Sequence, residues 1–332
     1  MPLGFAKSIL STSAAGAANT HGFFATQATA VIKADMGTDQ YATSGFTGCV
    51  WFRIDAGSDK SYTDQSGLDT WAASSTNEFG GSDGLVRIVS AQPALDDFFS
   101  ENTGNAWTFA LETSGTNMAQ GFKARPDGSS GGAFLAEVGR TSSGPYENNS
   151  ISRKSQFYQD FADGNWHCLI AHGNATPSSG GIYIDGTKYA EMLEFGAATT
   201  NDNISSFRYL FLGDRHTQSS NTFDNTTANT FPGDIGPIWW DNTYIDVSNS
   251  TNMAKFYDAG NTDGYVHLGT DGTESGLSQP KIFIYQQGTS SLNLQSGGSA
   301  SVSFTTIDTG SNSIVVGAGA GSGVSRSNRG AP

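Results

Sequence analysis

The sequence predicts an all-β protein in which two antiparallel sheets pack face to face as a sandwich. Composition is the first reason, since the 332 residues include 42 glycines, 21 phenylalanines and 11 tyrosines, without long stretches rich in Leu, Ala, Glu and Lys. Aromatic and β-branched residues fit a pleated, half-buried surface, whereas Gly, Asn, Asp and Ser suit the turns between strands. The second reason is spacing, because short apolar runs recur between Gly, Asp and Ser clusters, as a sandwich requires.

Ten of these runs are predicted to be strands. Explicit turn sequences separate them, for example at 163–165 and 185–187, where Asp-Gly favours a hairpin. We expect at least eight of the ten to lie in two antiparallel sheets, with less than about a tenth of the chain in helix. In chain order the runs are 46–54, 84–90, 106–112, 121–125, 134–140, 166–172, 181–189, 207–212, 235–245 and 281–285.

Only one stretch predicts a helix. Residues 249–252 offer N-cap side chains, about two turns follow over 253–258, and Gly260 ends the helix. Residues 299–307 alternate weakly, which is compatible with one more strand.

The chain divides into one domain with two extended terminal arms. Residues 1–45 are rich in small residues and predict either an N-terminal arm or an edge strand. Residues 46–310 contain neither a repeat nor a linker and predict a single jelly-roll domain. Residues 311–332 form a Gly/Ser-rich tail of low complexity. We expect the arms to lie across neighbouring subunits, because ordering a glycine-rich run costs about 1–2 kcal/mol per residue.

Large apolar side chains and both cysteines are predicted to be in the core. Trp166, Phe211, Ile235 and Tyr183 are expected to be largely buried, although the alternation around residue 183 leaves open which neighbour faces inward. Cys49 and Cys168 each lie in an apolar strand pattern and are expected to be buried, reduced thiols. A disulfide between them is the alternative.

Charge and hydropathy exclude two kinds of partner. The formal net charge is −14, whereas nucleic-acid binding requires a basic surface. No apolar run is long enough to cross a bilayer, so neither nucleic acid nor membrane is expected as a partner. The first ten residues lack the basic start and apolar stretch of a signal peptide, which favours synthesis and folding in the cytoplasm.

The sequence predicts neither a catalytic set nor a metal site. Two G-x-S-x-G matches, 80–84 and 128–132, lack the strand-then-helix context of a nucleophile elbow. His167 and His172 are five residues apart on one predicted strand, so they point to opposite faces and do not share an ion. Cofactors are expected to be absent, and the acidic turns 261–264 and 270–272 leave calcium as an open alternative.

From residue 163 the sequence carries recognisable motifs. In order they are Asp163-Gly164-Asn165-Trp166-His167, Tyr183-Ile184-Asp185-Gly186, Leu210-Phe211-Leu212-Gly213, residues 231–241 and the aromatic pair Phe256-Tyr257. Their order resembles the concanavalin A-like lectin/glucanase superfamily in its laminin-G-like and pentraxin-like branch. The resemblance covers about 130 residues and implies a jelly-roll sandwich, a fold that hosts lectins, hydrolases and inert structural modules.

The glucanases of that superfamily resemble one another in an E-x-D-x-x-E or E-x-D-x-E strand that pairs two carboxylates. Neither spacing occurs here. Glu191 and Glu194 lack the central Asp, and Asp241 and Asp246 straddle a turn. An enzyme is therefore not expected, and a glycoside hydrolase is the least favoured function.

The texture of the whole chain also resembles marine bacteriophage virion proteins. It combines an unprocessed type of start, an acidic Gly/Ser/Thr/Asn-rich sandwich, the strand 280–285 and a small-residue tail. The resemblance implies a virion structural protein of the capsid-decoration or head-fibre type. Its expected partners are the major capsid protein, other virion proteins and further copies of itself.

The alternative is a carbohydrate-binding adsorption module of a tail fibre that binds glycans on the host surface. Trp239 and Trp240 are consecutive, so they face opposite sides of their strand and one is expected nearer the surface. That tryptophan is the candidate for contact with a sugar or with a neighbouring protein.

Overall fold

The described part of the molecule contains seventeen strands in two antiparallel sheets. The computed structural model describes residues 21–22, 24–25, 30–42, 45–54, 84–92, 107–114, 117–124, 134–138, 164–174, 180–192, 204–213, 233–288, 292–308 and 315–316. The strands are β1 His21–Gly22, β2 Phe24–Ala25, β3 Ala30–Ala42, β4 Gly45–Ile54, β5 Gly84–Gln92, β6 Trp107–Ser114, β7 Asn117–Ala124, β8 Phe134–Val138, β9 Trp166–Asn174, β10 Gly180–Ile184, β11 Thr187–Met192, β12 Ile204–Leu212, β13 Gly233–Asp241, β14 Ile282–Gln287, β15 Leu294–Ser296, β16 Ser303–Asp308 and β17 Val315–Val316.

The strands are not in chain order within the sheets. Sheet 1 has the order β1-β14-β13-β4-β9-β10-β11, and β2, β15 and β17 pair beside it. Sheet 2 has the order β16-β3-β12-β5-β6-β7-β8. All ten predicted runs coincide with strands of these sheets, which confirms the antiparallel two-sheet sandwich.

The first core cluster lies between the sheets and follows from strand alternation. On β4 the residues Val50 and Phe52 face inward, and on β10 Ile182 and Ile184 do so. They pack against aliphatic and aromatic side chains of sheet 2, including Ile32, Ala34, Ile88, Val89, Phe109, Leu210 and Leu212. Alternate residues of each strand are thereby removed from water.

A second core cluster covers the opposite, outer face of sheet 1. Sheet 1 contributes Cys49, Trp51, Trp166, Cys168, Ile170, Tyr183, Trp239, Phe283 and Tyr285. Residues 242–281, which we call the capping segment, contribute Val247, Met253, Phe256, Tyr265, Leu268 and Leu277. Trp239 meets Phe256 edge to face at 5.1 Å between ring centroids, and its Nε1 donates to the carbonyl of Gly272 at 3.2 Å.

The capping segment contains one short helix, which begins earlier in the chain than predicted and shares only Met253 with the predicted turns. The helix α1 spans Ser250–Met253, and the side chain of Asn249 caps it by accepting from the amide of Thr251 at 2.9 Å. The sequence predicted two turns through residue 258. Beyond Ala254 the chain instead continues in turns, because Phe256 is drawn into the second core.

The N-terminal region differs from its prediction. Residues 30–42 are neither an arm nor an edge strand, since β3 pairs with β12 on one side and β16 on the other. Strands β1 and β2 pair with β14 and β13, and β17 pairs with β2. Strand β16 at 303–308 matches the weak alternation seen after residue 299. Residues 1–20 and 317–332 lie outside the described residues, so the prediction of arms across neighbouring subunits stays a prediction.

The predicted core residues are buried as expected. Trp166, Tyr183, Phe211 and Ile235 are all almost inaccessible, and Tyr183 faces the second core while its neighbours face the first. Cys49 and Cys168 are buried free thiols whose sulfurs lie 3.4 Å apart. Burial raises the pKa of the Cys168 thiol well above its usual value, so it stays protonated. None of the helices in the described ranges has the length and hydropathy to span a bilayer.

Candidate functional site

A groove of about 330 Å³ opens where β13 ends and the capping segment begins. Its wall combines the end of the strand, the loop that follows, the first turn of α1 and a later loop of the capping segment. The lining residues are Trp239, Asp241, Thr243, Tyr244, Ile245, Asp246, Asn252, Lys255, Gly276, Leu277 and Ser278.

Three buried polar residues form a row beneath this groove. Asp241 on β13 is the register partner of Thr47 on β4, and Thr47 is the partner of His172 on β9. Register partners of adjacent strands lie side by side on one face of a sheet. The row therefore places three hydrogen-bonding side chains under the loop 242–246, at the edge of an otherwise apolar surface.

Thr47 and His172 hold the backbone of that loop. The Thr47 hydroxyl donates to the carbonyl of Thr243 and accepts from the amide of Ile245, both at 2.9 Å. The Nδ1 of His172 donates to the carbonyl of Ile245 at 3.0 Å. These bonds satisfy backbone groups that have no sheet partner, because the loop is irregular where it covers the sheet. The loop is therefore fixed by side chains of two sheet strands.

Tyr244 is held against this support. Its ring stacks on His172 with centroids 5.3 Å apart and planes within 8°. Partial burial, and then the nearby Asp246 carboxylate, raise the pKa of the Tyr244 hydroxyl above its usual value. The phenol is therefore protonated at neutral pH.

Asp246 and Asn252 form the next part of the wall. One carboxylate oxygen of Asp246, Oδ1, accepts from the amide and the hydroxyl of Ser248 at 3.0 and 2.5 Å. The hydrogen bond from that hydroxyl is the main reason why the pKa of Asp246 lies below its usual value. Asn252 donates through Nδ2 to the Asp246 carbonyl at 3.0 Å, which ties α1 to the loop.

Asp241 connects the groove to the end of the capping segment. It is only 9% exposed, and its Oδ1 accepts from the amide of Lys281 at 3.0 Å. That bond joins the two ends of the capping segment, because the segment begins directly after Asp241 and ends at Lys281.

Several polar atoms of the groove make no hydrogen bond or ion pair with any other residue that the structure describes. They are Oδ2 of Asp241, Oδ2 of Asp246, Oδ1 of Asn252 and Nζ of Lys255. Two are carboxylate acceptors, one is an amide acceptor and one is a cationic donor. Beside the Tyr244 ring, they form a surface suited to a small ligand rich in hydroxyl groups.

The tryptophans predicted for surface contact lie elsewhere. Trp240 is 0% exposed and meets Phe207 edge to face at 5.0 Å in the first core. Trp239 is 1% exposed, because Phe256 and Gly272 cover it from above even though it contributes to the groove wall. The expectation that one of the pair lies near the surface is wrong, since the capping segment buries the face of sheet 1 that was expected to be open.

The acidic turns and histidines do not converge on a common centre. Oδ1 of Asp271 accepts from the amide and hydroxyl of Thr273, as in an ordinary Asx turn. His167 binds Asp185 at 2.6 Å near Phe52 of the first core, whereas His172 lies on the other face of the same sheet. Within the described ranges there is no group of three His, Cys, Asp or Glu residues placed to hold a metal ion.

Sequence reasoning missed Tyr244, Asn252 and Lys255 as members of the site. They lie in a loop, in the single turn of α1 and in the turn that follows it, where no periodicity marks a side chain as facing a ligand. The one available signal was the polar run 241–244, which directly follows a strongly apolar strand. That run was instead included in the predicted strand 235–245, whereas the strand ends at Asp241.

Three solved structures illustrate what the chain resembles. A native heptameric SAP-like pentraxin from Limulus polyphemus shares 11% identity over 91% of this chain and 96% of its own, with a TM-score of 0.44. Domains LG4-5 of the mouse laminin α1 chain share 13% identity over 69% of this chain and 44% of their own, with a TM-score of 0.33. A putative carbohydrate binding protein from Bacteroides ovatus shares 11% identity over 90% of this chain and 59% of its own, with a TM-score of 0.41.

The first two are a pentraxin and laminin LG domains, which are the kinds of protein that the sequence motifs resemble. At such low identities and TM-scores, nothing about the ligand or activity of this chain follows from them. No protein-family model and no curated protein matches the sequence.

Proposed function

We propose that this chain is a carbohydrate-binding protein without catalytic activity, and that sugar hydroxyls bind in the groove at the end of β13. The observation that carries the proposal is the set of groove atoms without a protein partner in the described ranges, on Asp241, Asp246, Asn252 and Lys255. They line the same groove as Tyr244, whose chain neighbours Thr243 and Ile245 are held from beneath.

The chemistry of a sugar matches this arrangement. Each hydroxyl donates one hydrogen bond and accepts others, so carboxylates, an amide and an ammonium group all find partners on one ring. Hydrogen bonds to charged groups are the stronger ones. The C–H face of the sugar is apolar and packs on an aromatic ring such as that of Tyr244.

Other ligand classes fit the groove less well. An apolar ligand would leave two carboxylates without water or partner, which is costly. A phosphate or a polyanion would meet Asp241 and Asp246 with only Lys255 to offset the repulsion, in a protein whose net charge is −14. A neutral polyhydroxyl ligand has neither penalty.

The groove also brings together two carboxylates that the sequence had separated by a turn. Asp241 accepts from a backbone amide, and the pKa of Asp246 is lowered, whereas a general acid in glycoside hydrolysis requires a raised pKa. We therefore expect binding without turnover. Incubation with β-glucans and other common polysaccharides should release no reducing ends, and release that is abolished by D241N or D246N would contradict this.

A binding experiment with matched variants tests the proposal. Titration calorimetry against a panel of gluco-, manno-, galacto- and N-acetylglucosamine oligosaccharides should show binding by the native chain. D241N retains the acceptor for the Lys281 amide but removes the charge at the free oxygen, so affinity should fall by about tenfold. Y244A should reduce it at least as much.

D271N is the control, because Asp271 lies in the same capping segment but in an exposed turn outside the groove. It should bind as the native chain does. Failure of the native chain to bind any member of the panel, or unchanged affinity in both D241N and Y244A, would overturn the proposal.

The place of this module is proposed from the sequence texture alone: it is displayed on a bacteriophage particle through contacts with the major capsid protein, other virion proteins or further copies of itself. Mass spectrometry of purified particles should find the chain in a fixed ratio to the capsid protein. Its absence from intact particles would leave carbohydrate binding as a function outside the virion.

A further inference from the structure

An exposed aromatic side chain lies next to the groove. Among the described residues, Tyr41 is the large hydrophobic side chain that is exposed, with 55% of its surface accessible. Its carbonyl accepts from Nδ2 of Asn242 at 3.3 Å. Asn242 stands in the chain between Asp241 and Thr243, both of which line the groove. Tyr41 therefore adjoins the rim of the groove.

Strand pairing holds the backbone on both sides of Tyr41. It is the penultimate residue of β3, and its neighbours Gln40 and Ala42 pair with Phe207 and Ile204 of β12. Ala42 is buried in the first core. An aromatic ring on a paired strand costs less conformational entropy to use in binding than one on a free loop.

The groove by itself is small. A volume of about 330 Å³ is at the lower end of the range for small-molecule sites, roughly 300–1,000 Å³. A single sugar ring has about a dozen non-hydrogen atoms, which at ordinary ligand efficiency corresponds to dissociation constants on the order of millimolar. Useful affinity requires contacts beyond the groove.

We propose that the ligand is an oligosaccharide chain, with one sugar in the groove and a following sugar that passes Asn242 and packs on the ring of Tyr41. This inference rests on the proposed function and specifies its ligand class as a chain rather than a single sugar. Stacking on a second aromatic ring adds about tenfold in affinity. The ligand would then bind across the end of the sandwich, from sheet 1 to sheet 2.

The test compares mono-, tri- and hexasaccharides of the sugar panel by titration calorimetry. The native chain should bind the hexasaccharide of its preferred series about tenfold more tightly than the monosaccharide. Y41A should lower the hexasaccharide affinity to nearly that of the monosaccharide, while Y41F, which retains the ring, should restore most of the gain. T38A is the control on the same strand and should retain the full dependence on chain length.

The outcomes separate the two proposals. Equal affinity of the native chain for mono- and hexasaccharides, or a full gain with length in Y41A, would overturn this inference and leave the groove site standing. No binding to any member of the panel would overturn both.

Discussion

The two faces of sheet 1 are buried by different means. The inner face packs on sheet 2 through apolar side chains that follow strand alternation, such as Val50, Leu169 and Ile182. The outer face packs on the capping segment, which is mostly irregular, through five aromatic or sulfur-containing side chains of β4, β9 and β13 and through buried polar groups. The same strands supply both faces.

The difference follows from backbone hydrogen bonding. A sheet satisfies its own N–H and C=O groups, so the side chains between two sheets can all be apolar. The irregular capping segment leaves such groups without sheet partners, and Thr47, His172, Asp241 and Trp239 satisfy some of them. Polar side chains beneath an irregular segment are what make a site at this face and not at the other.

The largest effect is expected at a buried ion pair on the outer face. Arg53 and Asp234 are register partners on β4 and β13, 3.0 Å apart and 1% and 0% exposed, with the guanidinium 4.8 Å from the Trp166 ring centroid. D234A should destabilise the fold by about 3–5 kcal/mol, because it removes the carboxylate that pairs with a buried guanidinium. Urea unfolding measures this.

The double variant R53M/D234L serves as the control for that experiment. It should recover much of the loss, because two apolar side chains of similar size need no counter-charge. If the double variant is destabilised as much as D234A or more, the ion pair stabilises the fold by more than the cost of burying its two charges.

Two methionines compare the faces directly. Met36 is buried between the sheets, and Met253 lies on the capping segment and faces the second core. Each Met→Ala change should lower the free energy of unfolding by about 2–4 kcal/mol, with M36A at the upper end because its site is more enclosed. Both should shift one common urea transition. If M253A instead leaves that transition unchanged and speeds amide exchange only within 242–281, the capping segment is a separate folding unit.

A smaller effect is expected where a polar side chain supports the loop. T47V retains the shape of Thr47 but leaves the Thr243 carbonyl and the Ile245 amide without their partner. The free energy of unfolding should fall by about 1–3 kcal/mol. Sugar binding should also weaken, because Tyr244 is less well held. T305V on the exposed part of β16 is the matched control and should change stability by less than about 0.5 kcal/mol. Equal effects of the two changes would contradict the supporting role.

The smallest effect concerns pH. The pKa of Asp246 lies below its usual value, chiefly because the Ser248 side chain donates to the carboxylate. A lowered pKa means that this group stabilises the native state above its unfolded pKa of about 4, and that the contribution is lost as the pH falls through the folded value. The midpoint temperature of thermal unfolding should therefore fall less steeply with decreasing pH in D246N than in the native chain, below about pH 4. Parallel curves would show that Asp246 does not contribute.

Local sequence patterns were sufficient for the sandwich itself. Alternation along 46–54 and 166–172 identified strands with two distinct faces, and the Asp-Gly turns separated them. These patterns also correctly predicted that Trp166 and Ile235 are buried. Alternation did not show that β3 lies inside sheet 2, because the neighbours of a strand depend on pairing with residues more than 150 positions away.

The residues of the candidate site depended wholly on tertiary structure. Residues 47, 172 and 241 form one row only because β4 lies between β9 and β13, and nothing in their local sequence relates them. The same holds for Trp239, because alternation placed Trp239 and Trp240 on opposite faces of their strand but did not show that residues 256 and 272 cover Trp239. Sequence determines which side of a strand a residue faces, through backbone geometry, whereas what covers that side is decided by contacts distant in the chain.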